Sequence, residues 1–380
     1  MYVERDLKIA DLTTIVALVG PRQAGKTTLL KESSKGKDVA YLMFDDPDVL
    51  GLFDSDIKKF ENEYLEGHGA AVLDEVQYGK DAGPKLKYLA DKGRKLYLTS
   101  SSETLLGKDV LSYLVGRVTL FRLYPFSLPE FQRANGQKET TPLIMRRLVF
   151  EHVMYGGYPN VVLTSGSDSK KLLLKNLYET MVLKDVARVF SIDDLASLER
   201  MARYLSHYIG NQMVYESMAS DLGLSFQSVK KYLDALEKCY LVRRVEPFYT
   251  NKLKEVTKQP KLYFIDTGLR NVIANHQADV DGRLFENYVF CELLKAGFVP
   301  KHWQSKSGAE VDFIIEKEGQ IIPIEVKLKS VKAERSLRSF ISAYSPKNAF
   351  VISYEAEPFT QELDGCKVFF TDIAGLLQSL

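Results

Sequence analysis

The sequence predicts an α/β protein of several domains, and three observations carry the prediction. Short apolar runs alternate with helical stretches as far as Phe131. A polar turn bracketed by Gly20 and Gly25 joins the first apolar run to a helix. Near the C-terminus, after a long helical region, a second set of apolar strands begins at Glu310. Alternating strands and helices bury best as a parallel sheet covered by helices.

The first run, Ile15 to Val19, reads as a buried strand that delivers Gly20-Pro21-Arg22-Gln23-Ala24-Gly25-Lys26-Thr27-Thr28 into a helix. This is a complete Walker A sequence. Its glycines let backbone N–H groups wrap a polyphosphate, with the positive end of the helix facing the anion. Lys26 then reaches the β- and γ-phosphates and Thr27 ligates Mg²⁺, so ATP or ADP with Mg²⁺ is the expected ligand. Ala70 to Leu73 is a second strand, closed by Asp74-Glu75 in the Walker B arrangement. There Asp74 is expected in the Mg²⁺ shell, and Glu75 is expected to orient or deprotonate the attacking water. Further strands are expected at Val39 to Phe44, Leu96 to Leu98 and Val118 to Leu123. The strand at Leu96 ends in Thr99-Ser100-Ser101-Ser102, from which the Ser101 hydroxyl is expected to face the water or γ-phosphate. Asp45-Asp46-Pro47-Asp48 reads as a helix start, with a nucleotide-facing loop as the other reading.

Several stretches together resemble a known family. They are the Walker A loop, Leu73-Asp74-Glu75-Val76-Gln77, Leu98-Thr99-Ser100-Ser101, Gly116-Arg117-Val118, Leu123-Tyr124-Pro125-Phe126-Ser127, Gly156-Gly157-Tyr158-Pro159 and Phe264-Ile265-Asp266-Thr267-Gly268-Leu269. The chain resembles the prokaryotic AAA-type ATPases that carry a C-terminal domain of unknown function with a nuclease-like core. One departure is Ser100, where this family often has glycine. Arg117 stands where such ATPases offer an arginine to a neighbouring subunit's γ-phosphate, which would imply a homo-oligomer; a structural salt bridge is the other reading.

Gly136 to Pro142 is a polar connector, and the chain then reads as helical to Ile209, broken at Gly156-Gly157-Tyr158-Pro159 and at Ser165 to Ser169. This is expected to be a lid-like helical region. Lys170, Lys171, Lys175, Lys184 and Arg188 are read as its solvated face. From Asn211 the pattern is helix-turn-helix: a short helix from Tyr215, a turn at Gly223, Ser225 as N-cap and a helix to about Cys239. Phe226, Val229, Tyr232, Leu233 and Leu236 are expected on its buried face. Gln227, Lys230, Lys231, Asp234 and Lys238 are expected outward. Leu241 to Val245, the lysine-rich stretch 252–261 and Leu262 to Ile265 complete a winged helix, for which DNA contact and a protein interface are both open.

The last domain begins a helix at Arg283-Leu284-Phe285-Glu286-Asn287 and continues through strands Glu310 to Ile315 and Ile321 to Lys327. It resembles the restriction-endonuclease core. With a two-residue turn at Gly319-Gln320, Glu318 pairs with Ile321, so Asp312 lies opposite Lys327 and diagonal to Glu325, all on one face. Asp312, Glu325 and Glu286 are then candidate Mg²⁺ ligands beside Lys327, as a phosphodiesterase site would need. A solvated ladder of acids and bases is the bland alternative.

The expected organisation is therefore a P-loop ATPase domain at 1–135, a helical lid at 136–209, a winged helix at 210–265 and a nuclease-like α/β domain at 266–380. Net charge is +1, so DNA, the expected macromolecular partner, has to be met by local basic patches. The charged start Met1 to Asp6 and the lack of any long apolar stretch argue against a signal peptide or membrane span and for the cytoplasm. Cys239, Cys291 and Cys366 are isolated, and the five histidines are scattered, which argues against disulfides and zinc.

Overall fold

The computed structural model describes the chain except for residues 1, 11, 12, 102–109, 138–140, 252, 254, 256, 257, 277, 278, 330–334 and 356, and the side chains of 182–185, 188 and 189. The expectations for Lys184, Arg188 and much of the lysine-rich stretch lie outside the described residues. The chain divides into two compact units. The first is Met1–Pro125 with Lys238–Tyr240, and the second is Phe126–Glu237 with Leu241–Leu380.

The first unit is built on a five-stranded parallel sheet of β1 (Ile15–Val19), β2 (Val39–Met43), β3 (Ala70–Asp74), β4 (Leu96–Ser100) and β5 (Val118–Arg122). The strand order is β2-β3-β4-β1-β5, so β4 is inserted between the strand before Gly20 and the strand ending in Asp74. β1 is buried along its whole length, and Val16 and Leu18 pack with Leu29, Leu30, Val72, Tyr97 and Leu123. That packing fixes the helix Lys26–Ser33 against the sheet. After β2, Asp46 caps the helix Pro47–Ser55 by accepting from the Asp48 N–H at 2.9 Å, as the sequence predicts for a helix start. Phe44, Phe53 and Phe60 then pack edge to face beside it.

The second unit opens with the helix Leu128–Ala134, whose Ser127 and Glu130 form a reciprocal capping box. The sequence assigned this segment to the first domain. It is held instead by buried groups of the second unit: Glu292 accepts from the Leu128 N–H at 2.7 Å, and Lys295 donates to the Phe126 carbonyl at 2.9 Å. His152 is stacked on Phe131 at 4.5 Å and shares a hydrogen bond with Tyr288. Lys170, expected at a solvated surface, is buried and paired with Glu151.

The stretches at Gly156-Gly157 and Asp266-Thr267-Gly268 lock together. Asp266 is buried, caps the helix Thr267–Ile273 through the Leu269 N–H at 3.0 Å and accepts from the Gly157 N–H at 2.8 Å. Gly156 has φ near +72°, and a Cβ there would lie 2.1 Å from an Asp266 oxygen. A Cβ on Gly268 would lie 2.2 Å from the Tyr155 carbonyl oxygen. The two glycine-containing motifs are therefore one packed joint.

Helices Tyr215–Leu222 and Phe226–Lys238 meet at Gly223, which is left-handed, and the Ser225 hydroxyl accepts from the Ser228 N–H at 3.0 Å. A two-stranded antiparallel sheet follows, β6 (Val242–Val245) with β7 (Lys261–Phe264). Val229, Tyr232, Leu233 and Leu236 are buried as expected, but Phe226 is 46% exposed and rests against Tyr215. As the first residue of its helix, Phe226 lies past the packed stripe.

The C-terminal sheet has the order β12-β13-β11-β10-β9-β8. It is formed by β8 (Lys301–Gln304), β9 (Glu310–Lys317), β10 (Gln320–Lys327), β11 (Asn348–Ser353), β12 (Phe359–Leu363) and β13 (Cys366–Thr371). The helix Gly282–Lys295 contributes Glu286. The expected register of the β9–β10 hairpin is corrected here. Gln320 pairs with Lys317, so the turn is Glu318-Gly319, both left-handed, and not Gly319-Gln320. Two successive positive φ values are what the tightest hairpin turn demands, and Glu318 accepts one of them. The slip is two residues, so side-chain parity is kept, and continuing the register puts Asp312 opposite Glu325 and not Lys327. Cys239, Cys291 and Cys366 are all buried.

Candidate active site of the first unit

Backbone shape comes first in the phosphate loop. At Gly20 a Cβ would lie 2.0 Å from the Leu123 carbonyl oxygen, so only glycine lets β1 turn there. Gln23 and Gly25 are both left-handed, and the helix Lys26–Ser33 begins at Gly25 without a side-chain cap. The N–H groups of a helix's first turn point out of that end, where the partial positive charge favours an anion. Within the loop Arg22 donates to the Tyr78 hydroxyl at 3.1 Å, while Pro21, Ala24 and Thr28 complete the turn into the helix. Lys26 is 6% exposed, and its ammonium donates to the Gly20 and Pro21 carbonyls at 2.9 and 3.0 Å. These carbonyls hold the charge at the loop mouth.

β4 supplies the link that joins the acids. Thr27 donates to both Asp74 oxygens at 3.0 Å, and Thr99 donates to the same carboxylate while accepting from the Glu75 N–H at 3.0 Å. Glu75 itself is left-handed at φ +55°, an unfavourable conformation for a residue with a Cβ. Its Oε2 accepts from the Ser101 hydroxyl at 3.0 Å, from the Ser101 N–H at 3.3 Å and from the Gln77 amide. Ser101, expected to face water or phosphate, is thus seated on Glu75. Sequence reasoning missed Thr99, Gln77 and Tyr78. The signal for Thr99 was its place at a strand end, but its partner depends on β4 lying between β1 and β3, which sequence order does not reveal.

Arg117 donates to Asp91 at 2.8 Å from a partly exposed position. It precedes β5, whose first residue pairs with Ile15, so it stands on the sheet edge opposite Gly20. The salt-bridge reading describes what its side chain does here.

In the second unit, Glu286, Asp312, Glu325 and Lys327 come together, joined by residues outside the expected set. Asp312 accepts from the Val326 N–H at 2.7 Å, and Lys327 pairs with Glu325 at 3.0 Å. Lys261 of β7 reaches Glu286 at 3.4 Å and also pairs with Glu310, while Tyr263 donates to Glu286. Burial and the neighbouring Glu286 push the Asp312 carboxyl up to about 8, against the opposing pull of Lys261. Among the described residues, no three His, Cys, Asp or Glu side chains stand as a group fit to hold a metal. The expected Mg²⁺ set of Glu286, Asp312 and Glu325 is therefore not gathered around one ion position. Arg244, within the expected wing strand Leu241 to Val245, is paired with Asp234 at 2.8 Å and with Glu237.

The loop, the paired acids and the strand order give the first unit the form of a P-loop domain. Comparison with known families agrees: residues 12–132 match the AAA domain. Residues 146–280 and 281–370 match two domains of unknown function, DUF8612 and DUF4143. An uncharacterized protein of Haemophilus influenzae is 26% identical over 345 residues, covering 86% of this chain and 85% of the relative. An uncharacterized protein of Methanocaldococcus jannaschii is 25% identical over 383 residues, covering 94% and 86%. A solved Walker-type ATPase of Pyrococcus abyssi overlaps 69% of this chain and 91% of its own, with 14% identity and a TM-score of 0.46. Among the described residues no helix is long and apolar enough to cross a membrane.

Proposed function

We propose that this protein binds ATP with Mg²⁺ at Gly20 to Thr28 and hydrolyses it, using the free energy to move or gate its second unit. The observation that supports the reading is the chain of contacts from Thr27 through Asp74 and Thr99 to Glu75, which links a hydroxyl and two carboxylates at the end of one sheet. Thr27 and Asp74 are an oxygen donor pair suited to Mg²⁺, which would screen phosphate charge when bound. Lys26 neutralises the β- and γ-phosphates. Glu75, aimed by Ser101 and Gln77, takes the proton from water. An ATPase assay of the purified chain, with and without various DNAs, tests the proposal.

For the second unit we propose a winged-helix module that meets DNA phosphates while the C-terminal domain binds without cutting. Lys230, Lys231 and Arg243 are exposed and support the first part, although Lys231 also donates to the Ser191 carbonyl at 2.8 Å. Reversing Lys230 and Arg243 to glutamate should weaken DNA binding and flatten its log–log salt dependence by about one unit per lost contact. Unchanged affinity and slope would make this module a protein interface. The lysine-filled acidic cluster supports the second part: the chain should leave DNA intact in Mg²⁺ or Mn²⁺, checked on gels, and fragmentation abolished by Asp312→Ala would restore the phosphodiesterase reading.

Arg117 acting on a neighbour's γ-phosphate belongs to the same proposal only if subunits assemble. Mixing an Arg117→Ala chain with a Lys26→Ala chain should then restore some turnover. No recovery in mixed assemblies would leave Arg117 as the partner of Asp91.

A further inference from the structure

Lys261 is the first residue of β7, and its side chain is 3% exposed. Side chains alternate along a strand, so Lys261 and Tyr263 share a face, and both reach Glu286. Glu310 and Asp312 likewise share a face of β9. The Lys261 ammonium bridges Glu286, from the helix Gly282–Lys295, and Glu310, from the sheet. A buried ammonium is costly unless paired, and carboxylates gathered on one face repel unless a cation lies among them. Each solves the other's problem.

The strand that carries Lys261 is firmly seated. Continuing from β6, Phe248 donates to the His302 carbonyl at 2.6 Å, and His302 returns its own N–H to the Glu246 carbonyl at 3.0 Å. Phe248 is buried among Trp303, Val311 and Phe340 of the C-terminal core. Gln212, bridged to Lys261 through the backbone, donates to Gln304 at 2.8 Å. The two-stranded sheet and the C-terminal sheet thus share contacts around the cluster, and Lys261 enters it on a fixed strand.

We infer that Lys261 is a tethered cation that balances the acidic cluster of Glu286, Glu310 and Asp312 and holds these carboxylates on itself, so that in this fold the C-terminal domain takes up no metal. The inference deepens the non-cutting reading of the same domain. It makes the two-stranded sheet a built-in occupant of the cluster: metal enters only if β7 withdraws its lysine.

The test is Mn²⁺ binding to the nucleotide-free full chain, followed by calorimetry and by the electron paramagnetic resonance of free Mn²⁺. The wild type and Asp312→Asn should bind Mn²⁺ with the same stoichiometry, because the cluster contributes no ion. Lys261→Met should gain an ion that Lys261→Met/Asp312→Asn loses again, while Lys261→Arg should gain none. A wild type that binds one more ion than Asp312→Asn overturns the inference, as does a folded Lys261→Met chain that gains nothing. If Lys261→Met fails to fold, the wild-type and Asp312→Asn comparison decides alone. DNA integrity is scored in the same samples. A wild type that cuts DNA without an additional ion defeats the non-cutting reading only, and one that holds the additional ion but cuts nothing defeats the role of Lys261 only.

Discussion

Glu75→Gln should leave ATP bound and stop its turnover, lowering the rate by about 10²- to 10⁴-fold, the range a positioned general base supplies. The amide keeps the size of the carboxylate and the backbone link to Thr99, so the loop, Lys26 and the Thr27–Asp74 pair stay as they are. Only proton acceptance is lost. The contacts to Glu75 sharpen the expectation: Gln77→Ala removes one of its donors and should reduce turnover less than Glu75→Gln while leaving nucleotide affinity unchanged. Lys26→Ala is different in kind, since it removes the charge that faces the phosphates and should abolish binding. Wild-type turnover in Glu75→Gln, measured with phosphate release beside a nucleotide-binding assay, would remove Glu75 from the chemistry.

The second large effect is on stability, in the joint between Gly156-Gly157 and Asp266. Gly156→Ala forces a Cβ against a carboxylate oxygen at a backbone conformation that side chains rarely adopt. The Asp266 side chain cannot yield without releasing the Gly157 and Leu269 N–H groups. A cost of about 3 kcal/mol is expected for overpacking plus strain. At about 2–4 °C per kcal/mol for a unit of this size, the second unit should melt roughly 6–12 °C lower. Asp266→Ala should destabilise to a similar degree by leaving two buried donors unpaired. Differential scanning calorimetry checks both, and an unchanged transition in Gly156→Ala would show that the joint relaxes freely.

Much of the first unit was legible in the residues because its strands are short, apolar and punctuated by turn chemistry. Asp46-Pro47 announces its helix, Ser225 announces another, and Gly20 to Thr28 announces the turn from strand to helix. What stayed hidden depends on the order of strands in space. Thr99 touches Asp74 because β4 lies between β1 and β3, and no local pattern encodes that neighbour. The β9–β10 hairpin shows a second kind of limit. Gly319-Gln320 looked like the turn because glycine tolerates positive φ, whereas the chain uses Glu318 and Gly319. Parity survived, so the acids share a face as expected, but their opposite numbers changed. Lys261 and Arg244 mark a third limit: both were read as parts of a wing, and each is drawn into acids from a distant or neighbouring element. The glycines at Gly156, Gly157 and Gly268 were recognised as marks of a family resemblance, and their physical reason, mutual close packing, appears only in three dimensions.

The central claim is that Gly20 to Thr28, Asp74 and Glu75 form a working ATPase site. Its most direct test is steady-state phosphate release from ATP by the purified chain in Mg²⁺ and in EDTA, alongside Lys26→Ala. The account predicts turnover by the wild type in Mg²⁺ only and none by Lys26→Ala. Turnover that persists in Lys26→Ala, or a wild type that binds ATP and never hydrolyses it in Mg²⁺, would contradict it.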